Sequence, residues 1–159
     1  MARVAGCPLC DGPGGVLVAS TSRLRVIRSV EDAARFPAFY RVVWADHVPE
    51  FTDLSPADRQ HCMDAVVLVE QALRDHLQPH KVNLATLGNA VPHLHWHVIA
   101  RYRWDSHFPA PVWAAAQREA PADDIQALVR ALPGLEHALS AALQGLPDSA
   151  SERQDVGRP

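Results

Sequence analysis

The stretch Asn83-Leu-Ala-Thr-Leu-Gly-Asn-Ala-Val-Pro-His-Leu-His-Trp-His-Val-Ile-Ala-Arg101, NLATLGNAVPHLHWHVIAR, holds three of the chain's nine histidines at alternate positions. On a helix, His93, His95 and His97 would spread around the axis. On a strand they share a face, about 6.6 Å apart per pair. Leu94, Trp96 and Val98 then point the other way, into the core that a one-sided sheet requires. The alternation predicts a strand over 94–101 with a histidine surface. Gly88 and Pro92 mark the turn that brings backbone amides beside it. Imidazoles in a row serve either a bound metal or metal-free nucleophilic and acid–base chemistry near neutral pH.

Outward from this strand, GVLVAS (15–20), RLRVIRS (23–29), YRVVWA (40–45) and KVNLATL (81–87) read as four further strands. Ser55-Pro56-Ala57-Asp58 is a helix start with a Ser cap, a first-turn Pro and an early acid. Cys62, Val66, Val69, Leu73 and Leu77 then form one apolar stripe, which Pro79 stops. Cys62 belongs to that stripe as a small core residue. Residues 123–132 and 135–144 read as short helices around Pro133-Gly134. His61, His76, His80 and His137, on or beside helices, read as solvated. The expected class is α+β: a mostly antiparallel five-stranded sheet with one long helix on a face. Residues 1–146 make one domain, and 147–159 a polar, disordered tail.

Composition excludes several classes. The chain has 159 residues, 48% apolar and 21% charged, with Lys+Arg 15 against Asp+Glu 18. A net charge of −3 argues against a nucleic-acid or membrane surface. No secretion signal or spanning run is present, and an odd count of three cysteines fits a reducing cytoplasm.

HLHWHVI resembles the His-φ-His-φ-His-φ-φ signature of the histidine triad (HIT) superfamily of nucleotide hydrolases and transferases. VVWADHVPEFTDLS resembles the strand, histidine turn and helix entry before the triad, and NLATLGNAVP the phosphate-binding approach. The resemblance spans roughly residues 7–113. It implies a HIT-like fold, a homodimer, and cleavage of a nucleoside 5′-phosphate from a leaving group. That leaving group would be a second nucleotide through a polyphosphate bridge, or an amine. His95 takes the role of nucleophile, forming a nucleotidyl-histidine intermediate. His97 contacts the phosphate and assists departure, and His93 completes the triad. Asn83, Gly88 and Asn89 match positions that hold phosphate or ribose oxygens, and Glu31 or Asp32 a ribose-binding acid. The chemistry so implied needs no cofactor. The chain departs from the pattern at Phe39, where a histidine is common, at Asn89-Ala90, which lacks a hydroxyl, and at Ala100.

Cys7-Pro-Leu-Cys10 is followed by DGPGG rather than a helix, against a thioredoxin-like pair. Two unrelated thiols or a structural zinc remain. In bacterial HIT proteins such a pair resembles a site completed by two histidines, here His47 and His93. A nucleotide-binding module with little turnover is the alternative function. A cupin-like metal oxygenase conflicts with the long helix.

Overall fold

The computed structural model describes residues 2–147. Strands β1 (Val16–Ser20), β2 (Leu24–Arg28), β3 (Phe39–Trp44), β4 (Lys81–Ala85) and β5 (His95–Arg101) form one antiparallel sheet in the order β1-β2-β3-β5-β4. Each lies within two residues of its expected position. Among the described residues the α-helices are a single turn, α1 (Pro8–Asp11), and two long ones, α2 (Pro56–Leu77) and α3 (Ala122–Gln144), with a 3-10 turn, Phe51–Asp53, before α2. None of these helices is long and apolar enough to cross a membrane. Of the tail expected at 147–159, all but Pro147 lies outside the described residues.

The period-two alternation sorts the sheet into two faces. Val26, Tyr40, Val42, Val82 and Val98 join Cys62, Val66, Val69 and Leu73 of α2 in the main core. On the other face stand Ile27, Phe39, Arg41, Val43, His95, His97 and Ile99, which pair across β2, β3 and β5. Ser55 caps α2 by accepting from the Asp58 amide at 3.1 Å. Gln78 in the left-handed region closes the helix just before Pro79. Every residue of the expected stripe is buried, and burial pushes the Cys62 thiol up to about 12.

Two expectations are corrected. The short helices at 123–132 and 135–144 are one continuous helix, with Pro133 inside it. A mid-helix proline costs about 3 kcal/mol. Leu132, Leu135, Leu139 and Leu143, all nearly fully buried, regain about 1.5–3 kcal/mol each by packing in the main core. The stripe therefore wins. Glu136 adds a polar tie, accepting from Arg28 Nε at 2.6 Å and Tyr40 Oη at 3.2 Å. Secondly, His61 is buried rather than solvated. It shares the inner side of α2 with Cys62 and Ala65, and its Nδ1–H donates to the Pro147 carbonyl at 3.1 Å.

Leu139→Ala should therefore cost about 2–5 kcal/mol in urea denaturation. Val129→Ala, on the exposed side of α3, should change stability by less than about 0.5 kcal/mol. Equal small effects would show that the helix beyond Pro133 is not held by the core.

Candidate active site and metal centre

The histidine face is covered at both ends. Near the start of β5, Cys7 and Leu9 pack on Ile27 and Val43, with Val91 alongside. Toward its far end, Phe36, Phe39, Ile99 and Val112 form a second small cluster. The loop carrying Val112 is tied down by a buried ion pair at the last residue of β5. Arg101 Nε donates to Asp105 at 2.8 Å, with further bonds to Asn83 Oδ1 at 2.7 Å and the Ala110 carbonyl at 2.9 Å. Burial works to raise the Asp105 pKa. Hydrogen bonds from Arg101 and from the His107 and Tyr102 amides more than offset it, and the carboxyl is held below its usual range.

Between the covers lies a cavity of about 370 Å³, bordered by His95, His97, Arg41, Glu31, Trp113 and the 87–91 turn. Gly88, at φ +69°, is the residue that lets this turn form. A Cβ there would meet only ordinary contact with the Val91 carbonyl, so backbone conformation rather than crowding demands glycine. Asn89 and Ala90 line the cavity beside it. Asn83 does not line it; its side-chain oxygen is engaged by Arg101.

Two backbone carbonyls set the histidine tautomers. A carbonyl only accepts, so the ring nitrogen facing it carries the proton. His95 Nδ1–H donates to the His93 carbonyl at 2.6 Å, which leaves Nε2 of His95 unprotonated when the ring is neutral. His93 is fixed in the opposite sense: its Nε2–H donates to the Trp44 carbonyl at 2.8 Å, and its Nδ1 lone pair faces the cysteines. His93 is fully buried and outside the cavity lining. His97 stands edge-on to His95, Phe39 and Trp113, with ring centroids 4.8–5.4 Å apart, and its Nδ1 is buried without a partner. Burial, then His95 and Arg41, push its pKa down to about 3. Burial also lowers His95, against the pull of its carbonyl partner. Both rings rest neutral at physiological pH.

Cys7, Cys10, His47 and His93 converge where the N-terminal turn meets the start of β5, with one ligand atom from each lying within 4.8 Å of all the others. His93 Nδ1 is 3.6 Å from Cys7 Sγ and 3.5 Å from Cys10 Sγ, and His47 Nδ1 is 3.5 Å from Cys10 Sγ. A tetrahedron with zinc–sulfur and zinc–nitrogen bonds of ordinary length has S···N edges of about 3.6 Å. The four donors fit zinc in type, number and spacing. The carbonyl on His93 Nε2 is the outer partner that a zinc-binding imidazole ordinarily has.

Three residues of this site escaped the sequence reading: Arg41, and the Arg101–Asp105 pair that anchors the covering loop. A lone arginine inside the β-branched run of YRVVW was the available signal for the first. Trp113 reaches the cavity from that loop and remains half-exposed at its rim.

Comparisons with known proteins point to one family and one fold. A family model described as HIT domain matches residues 18–104. Among solved structures, a histidine triad protein from Bradyrhizobium japonicum is 28% identical with a TM-score of 0.62, aligned over 84% of this chain and 98% of that one. A histidine triad protein from Marinobacter aquaeolei is 22% identical, TM-score 0.62, over 85% and 93% of the two chains. A hypothetical histidine triad nucleotide-binding protein from Sulfolobus tokodaii is 14% identical, TM-score 0.52, over 83% and 85%. The latter two share the fold. No curated protein matches the chain.

The depressed His97 pKa has a thermodynamic sign. The ring is neutral when folded but takes up a proton below pH 6.5 when unfolded, so acid favours the unfolded chain. Its contribution to stability is complete above about pH 6.5 and is lost as pH falls toward about 3. Urea denaturation from pH 7 to pH 4 should show stability falling less steeply in His97→Phe than in wild type. Parallel slopes would mean that His97 titrates normally.

Proposed function

We propose a nucleotide-cleaving enzyme on one premise: the chain belongs to the HIT family. The observation that carries the reading is the 2.6 Å bond from His95 Nδ1–H to the His93 carbonyl, which keeps Nε2 as a free lone pair on a residue lining the cavity of about 370 Å³. The name of the Sulfolobus tokodaii relative also includes nucleotide binding.

In this reading His95 Nε2 attacks the α-phosphorus of a nucleotide. A P–N bond forms as the bond from phosphorus to the leaving group breaks, and water later cleaves the nucleotidyl-histidine. Developing charge on the phosphate oxygens is met by the Gly88–Asn89 turn. His97, neutral at rest, stands beside the departing group; an anionic phosphate next to it favours its protonated form. Asn83 serves from outside the cavity by holding Arg101. Phe39 and Ala90 occupy places where the family pattern has a histidine and a hydroxyl. They are the reason to keep a second reading, nucleotide binding with little turnover.

Cys7, Cys10, His47 and His93 would hold a structural zinc, which binds the N-terminal turn to the start of β5. The proposed assembly is a homodimer through β4. That strand is a sheet edge with Leu84 exposed, whereas the other edge, β1, is guarded by a bulge between Leu17 and Ala19 and by contact with α3. All three cysteines are free thiols, in keeping with a proposed cytoplasmic location.

Rapid-quench mass spectrometry with a dinucleoside polyphosphate or a nucleoside phosphoramidate should find a nucleotide-sized adduct on the peptide containing His95. His95→Ala should lose turnover by at least about 10³-fold while still binding nucleotide. Turnover retained by His95→Ala, or an adduct elsewhere, would sink the assignment. Tight nucleotide binding without turnover in wild type would favour the second reading.

Native mass spectrometry tests the other two proposals together, with two chains and two zinc ions expected per particle. Cys7→Ser should shed the zinc and lower the melting temperature by more than about 5 °C. A zinc-free wild-type protein prepared without chelator, or one with a monomer mass of 17.4 kDa, would overturn the corresponding claim.

A further inference from the structure

Arg41 rises from β3 onto the histidine face, where its Cα is the direct partner of that of His97. Its side chain is only 13% exposed, yet it has a single carboxylate partner, Glu31 Oε2 at 2.7 Å. Glu31 is 75% exposed, so water and salt screen that pair and weaken it. The Arg41 Nε is buried and has no hydrogen-bond partner at all. A guanidinium carries five N–H donors, and leaving one dry and unmet is costly. The guanidinium carbon also lies 5.5 Å from the centre of the Phe39 ring. Both Arg41 and Glu31 line the cavity with His95 and His97.

A nearly buried cation with an idle donor and a loosely held partner is a site that an incoming anion completes. Its position says which anion. His95 stands opposite Val43, and Arg41 stands opposite His97, one step of the alternation further along the face. The 88–91 turn precedes His93 in the chain and borders the His95 side, so an α-phosphate held between that turn and His95 leaves Arg41 beside the next group along. We propose that Arg41 binds a negatively charged group on the leaving side of the substrate, exchanging Glu31 for it. Arg41 would thus favour leaving groups that begin with a phosphate over neutral amines. No covalent step is involved: one ion pair opens and a stronger, bidentate charge-assisted one forms. This deepens the nucleotide reading given above and rests on it only for the identity of the neighbouring α-phosphate.

Calorimetric titration with a nucleoside monophosphate, the matching diphosphate and inorganic pyrophosphate tests the proposal without requiring turnover. Wild type should bind the diphosphate at least about tenfold more tightly than the monophosphate. Arg41→Leu should bring that ratio to within about threefold of unity, and Arg41→Lys, which keeps the charge but not the fork, should fall between. Glu31 is exposed, so Glu31→Gln folds whether or not Arg41→Leu does. With the competitor gone, its affinity for inorganic pyrophosphate, which has no ribose, should rise at least about threefold at low salt. A diphosphate preference that survives Arg41→Leu, or pyrophosphate affinity unchanged by Glu31→Gln, would overturn the proposal. Should the His95 adduct be absent while the Arg41-dependent ratio persists, the catalytic reading fails and this one stands. An adduct on His95 with no diphosphate preference in wild type does the opposite: catalysis by His95 stands and the role given to Arg41 fails.

Discussion

Every polar atom of His93 is engaged by a different part of the molecule. Its amide donates to the Val91 carbonyl at 2.8 Å, its Nε2–H to the Trp44 carbonyl at the end of β3, its Nδ1 faces Cys7 and Cys10, and its carbonyl accepts from His95. One buried residue therefore joins the glycine turn, the centre of the sheet, the N-terminal segment and the nucleophile candidate. A group so placed has no rotamer freedom left, and neither has whatever hangs on it. The arrangement of the cavity follows: the turn, the thiols and the His95 ring are all referenced to the same backbone.

The second constraint is that both faces of the sheet are covered. α2 and α3 bury one side, and the N-terminal turn with the 105–113 loop covers the other. Histidines on an ordinary solvated face would titrate near their usual value. Here desolvation keeps them neutral, which is the state a nitrogen nucleophile needs. The two covers are anchored by unlike chemistry, soft donors at one end and the Arg101–Asp105 ion pair at the other. Damage to either should leave the other in place.

Much of this was legible in the sequence because it rests on local periodicity. The five strands and α2 follow from alternation, from the Ser55 cap and from the stripe of Cys62 to Leu77, all written within a few residues of each other. The triad was legible for the same reason, since alternate spacing has one geometric meaning on a strand. What stayed hidden depends on partners distant in the chain. Pro133 stops a helix only if nothing else offsets the cost of continuing it, and the compensation comes from α2 and β1, far away in sequence. The engagement of Asn83 by Arg101, the burial of His61 under Pro147 and the half-satisfied state of Arg41 likewise require the assembled fold. Such contacts leave no periodic trace.

The bond between His95 and the carbonyl two residues before it has a consequence for acid tolerance. Enzymes that steer a histidine with an aspartate depend on a group that can itself take up a proton, so the steering fails once that acid is neutralised. A peptide carbonyl has no such failure point in the range where proteins fold. It is also supplied by the strand's own chain, so no side-chain substitution can remove it, and only a change of backbone path could. The orientation of this imidazole is thus tied to the main chain, and a point mutation reaches it only by moving the backbone. A site steered this way keeps the tautomer of its histidine under conditions where a carboxylate-steered one would already have lost it.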